Sequence, residues 1–380
     1  MSDIKDEFGP FDGRIWVNAA HQGPLPRSAV RAAEGAIADK VSPRRIDDAD
    51  FQRVPQALKL ALAATVGVDP LEIILGNSTT YGLHLLAHGL EWRPGDEIVV
   101  VRGEFPATIV PWLWLEERGV TIREITPRRR PLSAEDLAGQ LTSKTRLFCS
   151  SWVFSFSGEV IDVESLAAVC RSRGVLFVLN GSQGVGARVI DAAAAGVDAV
   201  TSCGFKWLCG PYGTGFCWIR PQILQQFRYR QDYWLTQINQ TDLRTGLDLR
   251  VRGDLGARRY DVFCTANFFN FVPWTAAVET LLTFGVGRVQ VHNDSLVAQL
   301  IDQIDQHPRL RIVSPTSPRE RSALVHLTHT DASRNRELHD HLGRNGIDAA
   351  LRANLIRFSP HVYNDAAEIE HVTSSLLRIA

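Results

Sequence analysis

The chain has 380 residues, 45% hydrophobic and 8% aromatic, enough for one large α/β unit and a smaller companion around a substantial core. Lys and Arg number 41 against 42 Asp and Glu, a formal charge of -1, so no global field recruits nucleic acid or an anionic membrane surface. No stretch is apolar for long enough to span a bilayer, and the opening Met1-Ser2-Asp3-Ile4-Lys5 has neither a basic nor an apolar leader, so a cytoplasmic protein without membrane or nucleic-acid partners is expected.

In chain order, residues 1–20 read as an N-terminal segment, 21–267 as a large domain and 268–380 as a small C-terminal domain. Between residues 60 and 220, short β-branched runs alternate with segments of helical period, the pattern of a mainly parallel sheet with helices on both faces. The expected strands are Glu72–Leu75, Glu97–Val101, Thr121–Ile125, Arg146–Ser150, Leu176–Leu179, Ala199–Ser202 and Gly215–Ile219. Helices are expected over Thr80–Leu90, Ile109–Arg118 and Val163–Arg173, each ending near a glycine that can cap it. The triple arginine at 128–130, between Pro127 and Pro131, reads as a solvated loop. Leu224–Asp261, rich in Gln, Arg and Tyr, reads as an irregular connection with functional exposure. Beyond it come a helix from Phe268 through Phe284, a helix over Asn293–Gln306, strands at Arg311–Val313 and Ala323–Leu327, and a helix over Asn335–Asn345.

Six cysteines, at 149, 170, 203, 209, 217 and 264, form no Cys-x-x-Cys pair, and several sit in apolar runs, so reduced core thiols are expected. His326/His329 lie in a strand-like stretch, and His339/His341 have a spacing at which helical side chains diverge; no metal site is expected.

The densest chemical signal is Ser202-Cys203-Gly204-Phe205-Lys206-Trp207-Leu208, followed at once by Cys209-Gly210-Pro211-Tyr212-Gly213-Thr214-Gly215. A lysine after a buried strand, on a glycine-rich turn that avoids crowding, suits an amine that must lose its hydration to act as a nucleophile toward an aldehyde. Upstream, Phe177-Val178-Leu179-Asn180-Gly181-Ser182-Gln183 ends a strand in polar residues, at the edge where open α/β sheets bind ligands. Gly76-Asn77-Ser78-Thr79-Thr80 follows a strand and opens a helix, offering amides and hydroxyls either to an anion or as a plain N-cap.

Together with Val17-Asn18-Ala19-Ala20, Gly23-Pro24, Gly103-Glu104-Phe105-Pro106-Ala107, Pro111-Trp112 and Arg357-Phe358-Ser359-Pro360-His361, these segments resemble the class V aminotransferase family, which includes cysteine desulfurases, kynureninase and isopenicillin N epimerase. The resemblance runs over nearly the whole chain. It implies a pyridoxal 5'-phosphate (PLP) enzyme of fold type I, with a mainly parallel seven-stranded sheet, a smaller α+β C-terminal domain, and Lys206 as the Schiff-base lysine. It further implies Phe105 stacked on the cofactor ring, Asn180 at the ring nitrogen, and Gln183 with Ser155 at the ring oxygen. Ser78, Thr79 and Cys203 or Ser202 would hold the phosphate, and Thr265 would reach the partner subunit's phosphate in a homodimer with shared active sites. Arg357 would clamp the substrate carboxylate, a task suited to a planar two-pronged donor, and Asn18 would join it in binding the substrate. His21 is a candidate second acid or base.

Three positions depart from the family. Asn180 stands where an aspartate is normal, so the ring loses the negative charge that keeps its nitrogen protonated. Phe205 replaces a frequent histidine and Cys203 a frequent serine. No cysteine follows Cys264, so the late nucleophilic thiolate of the desulfurases is missing. The expected activity is therefore a lyase working by β-elimination, such as carbon-sulfur cleavage in amino-acid or secondary metabolism. The alternatives are an epimerase, a decarboxylating enzyme or an aminotransferase, and outside catalysis a binding or regulatory protein on the same fold.

Overall fold

The computed structural model describes residues 2–237, 251–264 and 266–380. Seven strands form one sheet in the order Ile73–Gly76, Gly215–Ile219, Ala199–Cys203, Leu176–Asn180, Thr145–Ser151, Glu97–Val101, Thr121–Ile125. Gly215–Ile219 runs antiparallel to both neighbours, and the other pairings are parallel. All seven expected strands are present within a residue or so at each end. Glu72 closes a 3-10 turn capped by Asp69, whose carboxylate accepts from the Leu71 amide at 2.8 Å, and does not open the first strand.

Side chains alternate across a strand, and here both faces are covered. Val99, Val101, Phe148, Phe177 and Leu179 join one buried cluster; their neighbours Ile98, Val100, Leu147, Cys149 and Val178 join another on the opposite face. This explains why the strands read as continuous apolar runs. The helix expected over Ile109–Arg118 starts earlier, at Pro106, because proline suits the first helical turn, and it tightens after Leu113 into a 3-10 turn ending at Gly119.

Two helices, Arg27–Val41 and Asp50–Val66, were not anticipated. Both pack on Phe268–Phe284, a helix expected to open the smaller domain. Phe271, Trp274, Ala277, Val278 and Leu281 of that helix belong to the same cluster as the large sheet. A third cluster is built from helix Val286–Ile304 onward: Leu296, Leu300, Val325, Ile356 and Ile369, joined by Val17 from the N-terminal segment. Its sheet is antiparallel, in the order Ala350–Arg352, Leu355–Phe358, Val325–His329, Leu310–Ile312. Ile15–Trp16 pairs with Ile347–Asp348, so the N-terminal segment crosses between the two cores. Among the described residues no helix is long and apolar enough to cross a membrane, and no three potential metal ligands cluster.

Candidate active site

Parallel strands end on one edge of the sheet, and the turns leaving that edge gather the polar side chains. Ser78, Thr79, Phe105, Ser155, Asn180, Gln183, Cys203 and Lys206 line a single pocket there, together with Ser151 and Ser182. Thr265 lies outside the described residues.

The turn carrying Lys206 is held from several sides. Gly204 donates to the Thr214 carbonyl at 3.0 Å, Gly210 to the Gly204 carbonyl at 2.8 Å, and Gly23 to the Phe205 carbonyl at 2.8 Å. A Cβ on Gly204 would stand 2.5 Å from the Trp274 ring, so the chain passes where only glycine fits. The amine of Lys206 sits 5.5 Å from the centre of the Phe105 ring and 5.9 Å from that of Phe205. Although part of the side chain reaches solvent, burial of the amine lowers its pKa; nearby Cys203 opposes the shift and Arg357 reinforces it. An amine more often neutral is a better nucleophile and proton acceptor.

Around this amine the expected partners fall into place unevenly. Ser78 is the N-cap of helix Thr79–Gly89, accepting from the Tyr81 amide at 3.3 Å, and the first amides of that helix have no intrahelical acceptor. Thr79 directs its hydroxyl at Ser182, 2.6 Å away. Cys203 faces the pocket, whereas Ser202 is wholly buried outside it. Gln183 gives its amide protons to the Ala20 carbonyl at 3.0 Å and Ser155 Oγ at 3.3 Å, and accepts from Trp207 Nε1 at 2.8 Å. With Gln183 committed, Ser155 is the one that keeps a proton to offer.

Arg357 is only 4% exposed, its Nε has no hydrogen-bond partner, and its Nη2 reaches Asn18 Oδ1 at 3.5 Å. Burial, with Arg352 nearby, lowers its pKa to about 10, so it remains a cation awaiting an anion. His21 is exposed, and its pKa is lowered by partial burial and then by Arg352, Arg357 and Lys206. Arg352 was missed from sequence. So were Glu104, Thr108, Ser151 and Ser182, which surround Asn180; only a glutamate next to an apolar strand end hinted at them.

A desolvated amine, an aromatic face 40% exposed despite its size, helix-start donors and an orphaned guanidinium suit a planar aldehyde cofactor with a phosphate and an amino-acid partner. The donor set fits PLP. These features are the ones an enzyme would need to hold an aldehyde cofactor at the edge of an α/β sheet.

Residues 48–372 match the Aminotransferase class-V family, and the chain belongs to it, a family of PLP enzymes. The chain is 26% identical to isopenicillin N epimerase of Streptomyces clavuligerus, over 95% of this chain and 93% of that protein. It is 25% identical to a probable cysteine desulfurase of Methanothermobacter thermautotrophicus, over 78% of this chain and 74% of that one. Among solved structures, the cystine C-S lyase C-DES in complex with cysteine persulfide aligns with a TM-score of 0.87 and 26% identity, covering 97% of this chain and 99% of that one. The cysteine desulfurase of Thermococcus onnurineus shares the fold, with a TM-score of 0.86 at 19% identity, over 100% of this chain and 97% of that one.

Proposed function

We propose that the protein is a PLP-dependent lyase that breaks a carbon-sulfur bond at Cβ of an α-amino acid. The observation that carries this reading is the buried Lys206 amine 5.5 Å from the centre of the Phe105 ring, within electrostatic reach of the buried Arg357, whose Nε has no hydrogen-bond partner. Bound there, the cofactor supplies an aldehyde for the substrate amine and a conjugated ring that spreads negative charge from Cα.

The chain's own residues do the rest. Lys206 Nζ would hold the cofactor at rest and then take the proton from Cα. Phe105 would lie against the ring, Ser155 supported by Gln183 would serve its oxygen, and Asn180 would meet its nitrogen. Ser78, the helix-start amides, Thr79 and Cys203 would hold the phosphate. Arg357, steadied by Asn18, orients the substrate through its carboxylate. Two things favour β-elimination over desulfuration through a persulfide on an enzyme cysteine: the likeness to a cystine C-S lyase, and the lack of any cysteine after Cys264.

Epimerisation is the second reading, favoured by His21, a largely neutral imidazole beside Arg357 and Lys206 that could return a proton to Cα. The dimer is part of the proposal, supported by an aromatic side chain exposed beside the site, Tyr212 at 62%, its ring 5.0 Å from that of Phe205.

The test is to trap the holoenzyme with borohydride, map the adduct, and incubate the untreated holoenzyme with cysteine-type thioethers in deuterated water. A lyase gives a keto acid and a thiol from wild type and nothing from Lys206→Ala. Inverted, deuterated substrate without keto acid would select the epimerase, and an adduct on another lysine would refute the site.

A further inference from the structure

The side-chain amide of Asn180 is locked in one orientation. The backbone N–H of Ser182, which can only donate, reaches Asn180 Oδ1 at 3.0 Å, and the Ser182 hydroxyl donates to the same oxygen at 2.6 Å. Both acceptor directions of that oxygen are filled, and turning the amide over would set its NH2 group against the Ser182 amide. Asn180 Nδ2 gives one proton to Thr108 Oγ1 at 2.8 Å.

The neighbours keep this direction. Having donated to Asn180, Ser182 Oγ receives the Thr79 hydroxyl at 2.6 Å. Thr108, having accepted, gives its own proton to the Glu104 carboxyl, with Ser151 Oγ 3.4 Å away. Glu104 in turn accepts from Ser150 Oγ at 3.1 Å and from the Ser151 amide at 2.6 Å, as well as from Ser151 Oγ. The bonds run one way, from Thr79 through Ser182, Asn180 and Thr108 to Glu104, and every member is buried. Asn180 therefore has one N–H left for the pocket it lines, and no acceptor.

We propose, on the cofactor reading above, that Asn180 holds the ring nitrogen of PLP unprotonated, as the acceptor of this remaining N–H, with Ser182 and Thr108 as the residues that fix its direction. A protonated ring would bring two donors face to face in a buried site, each unsatisfied. A ring without that positive charge is a weaker store for electrons. The reaction it suits passes the electron pair on at once. As Lys206 takes the proton from Cα, the C–H pair becomes the Cα=Cβ bond, the Cβ–S bond breaks, and sulfur leaves with its pair. The lock on Asn180 thus selects elimination over chemistry that must hold charge on the cofactor.

The experiment is nitrogen NMR of holoenzyme rebuilt with PLP labelled with 15N in the ring. Wild type should resonate in the range of free-base pyridine, with no splitting by a directly bound proton, and Asn180→Asp should move the signal into the pyridinium range. A wild-type signal already in the pyridinium range, or a proton-split one, overturns the proposal with cofactor binding intact. This reading is available from wild type even if the variant misfolds. Protein that takes up no labelled cofactor overturns the function reading and this inference with it.

Discussion

Arg357 is a charge buried ahead of its partner. Removing a guanidinium from water costs several kcal/mol, and among the described residues one long bond to Asn18 is what offsets it. Such a residue lowers the stability of the ligand-free protein in exchange for affinity toward an anion. Arg357→Met should therefore raise the melting temperature of the substrate-free protein. It should also lower kcat/KM by about 30- to 5000-fold, the equivalent of about 2–5 kcal/mol for an anion losing its buried counter-charge. A melting temperature that falls along with activity would mean that Arg357 is mainly structural. His21 stands in contrast, since an exposed imidazole among cations costs the fold little and its removal should spare the melting temperature.

At the scale of elements, the site depends on how closely two segments approach. Gly76 and Gly215 face each other across the antiparallel pair, and a Cβ on Gly215 would lie 2.5–2.6 Å from three backbone atoms of Ser78. Backbone cannot swing aside as a flexible side chain would, so Gly215→Ala must push the Ser78–Thr79 turn away from the sheet. The expected result is a loss of about 1–3 kcal/mol in stability and a higher PLP concentration for half-saturation, read by cofactor titration. Gly139→Ala, on helix Ala134–Gln140 with open space around it, is the control and should leave cofactor affinity unchanged. The strand before this turn is also anchored: the buried Asp261 carboxylate pairs with Lys59 at 2.8 Å and accepts from the Leu75 amide at 2.8 Å. The strand that leads into the Ser78–Thr79 turn is thus held by a residue far along the chain.

Across the whole molecule, the Lys206 turn is tied to the smaller core through His361. This imidazole donates from Nε2 to the Trp207 carbonyl at 3.1 Å and accepts at Nδ1 from Asn293 at 3.2 Å, so it is neutral. Burial pushes its pKa down to about 3, and His326, buried and close to Arg357, behaves alike. Because these groups bind protons more readily unfolded than folded, the stability they allow is present above the ordinary histidine value and is lost as pH falls toward about 3. Glu104 has the opposite sign. Its carboxyl is raised to about 7 by burial, so its contribution is present below the ordinary carboxylate value and fades as pH rises through about 7. His361→Gln should flatten the acid limb of the stability curve by about 1.4 kcal/mol per pH unit, one proton's worth. Urea unfolding at about pH 4 and about pH 5 measures it, and an unchanged slope would count against a neutral His361 in the fold.

The strands and the Lys206 turn were readable from the sequence because their signals are local. A strand buried on both faces is a run of apolar residues whatever surrounds it, and a glycine-rich turn is written in adjacent letters. The helices Arg27–Val41 and Asp50–Val66 were not readable, since their packing face is completed by Phe268–Phe284, and Pro55 and Gly35 obscure their period. Nor could the sequence assign direction to Asn180, choose Ser155 over Gln183 as the free donor, or bring Arg352 near Arg357. Those choices turn on which donors and charges meet across distant segments, so only the tertiary structure decides them: a hydrogen bond has a sense only once both ends are in place.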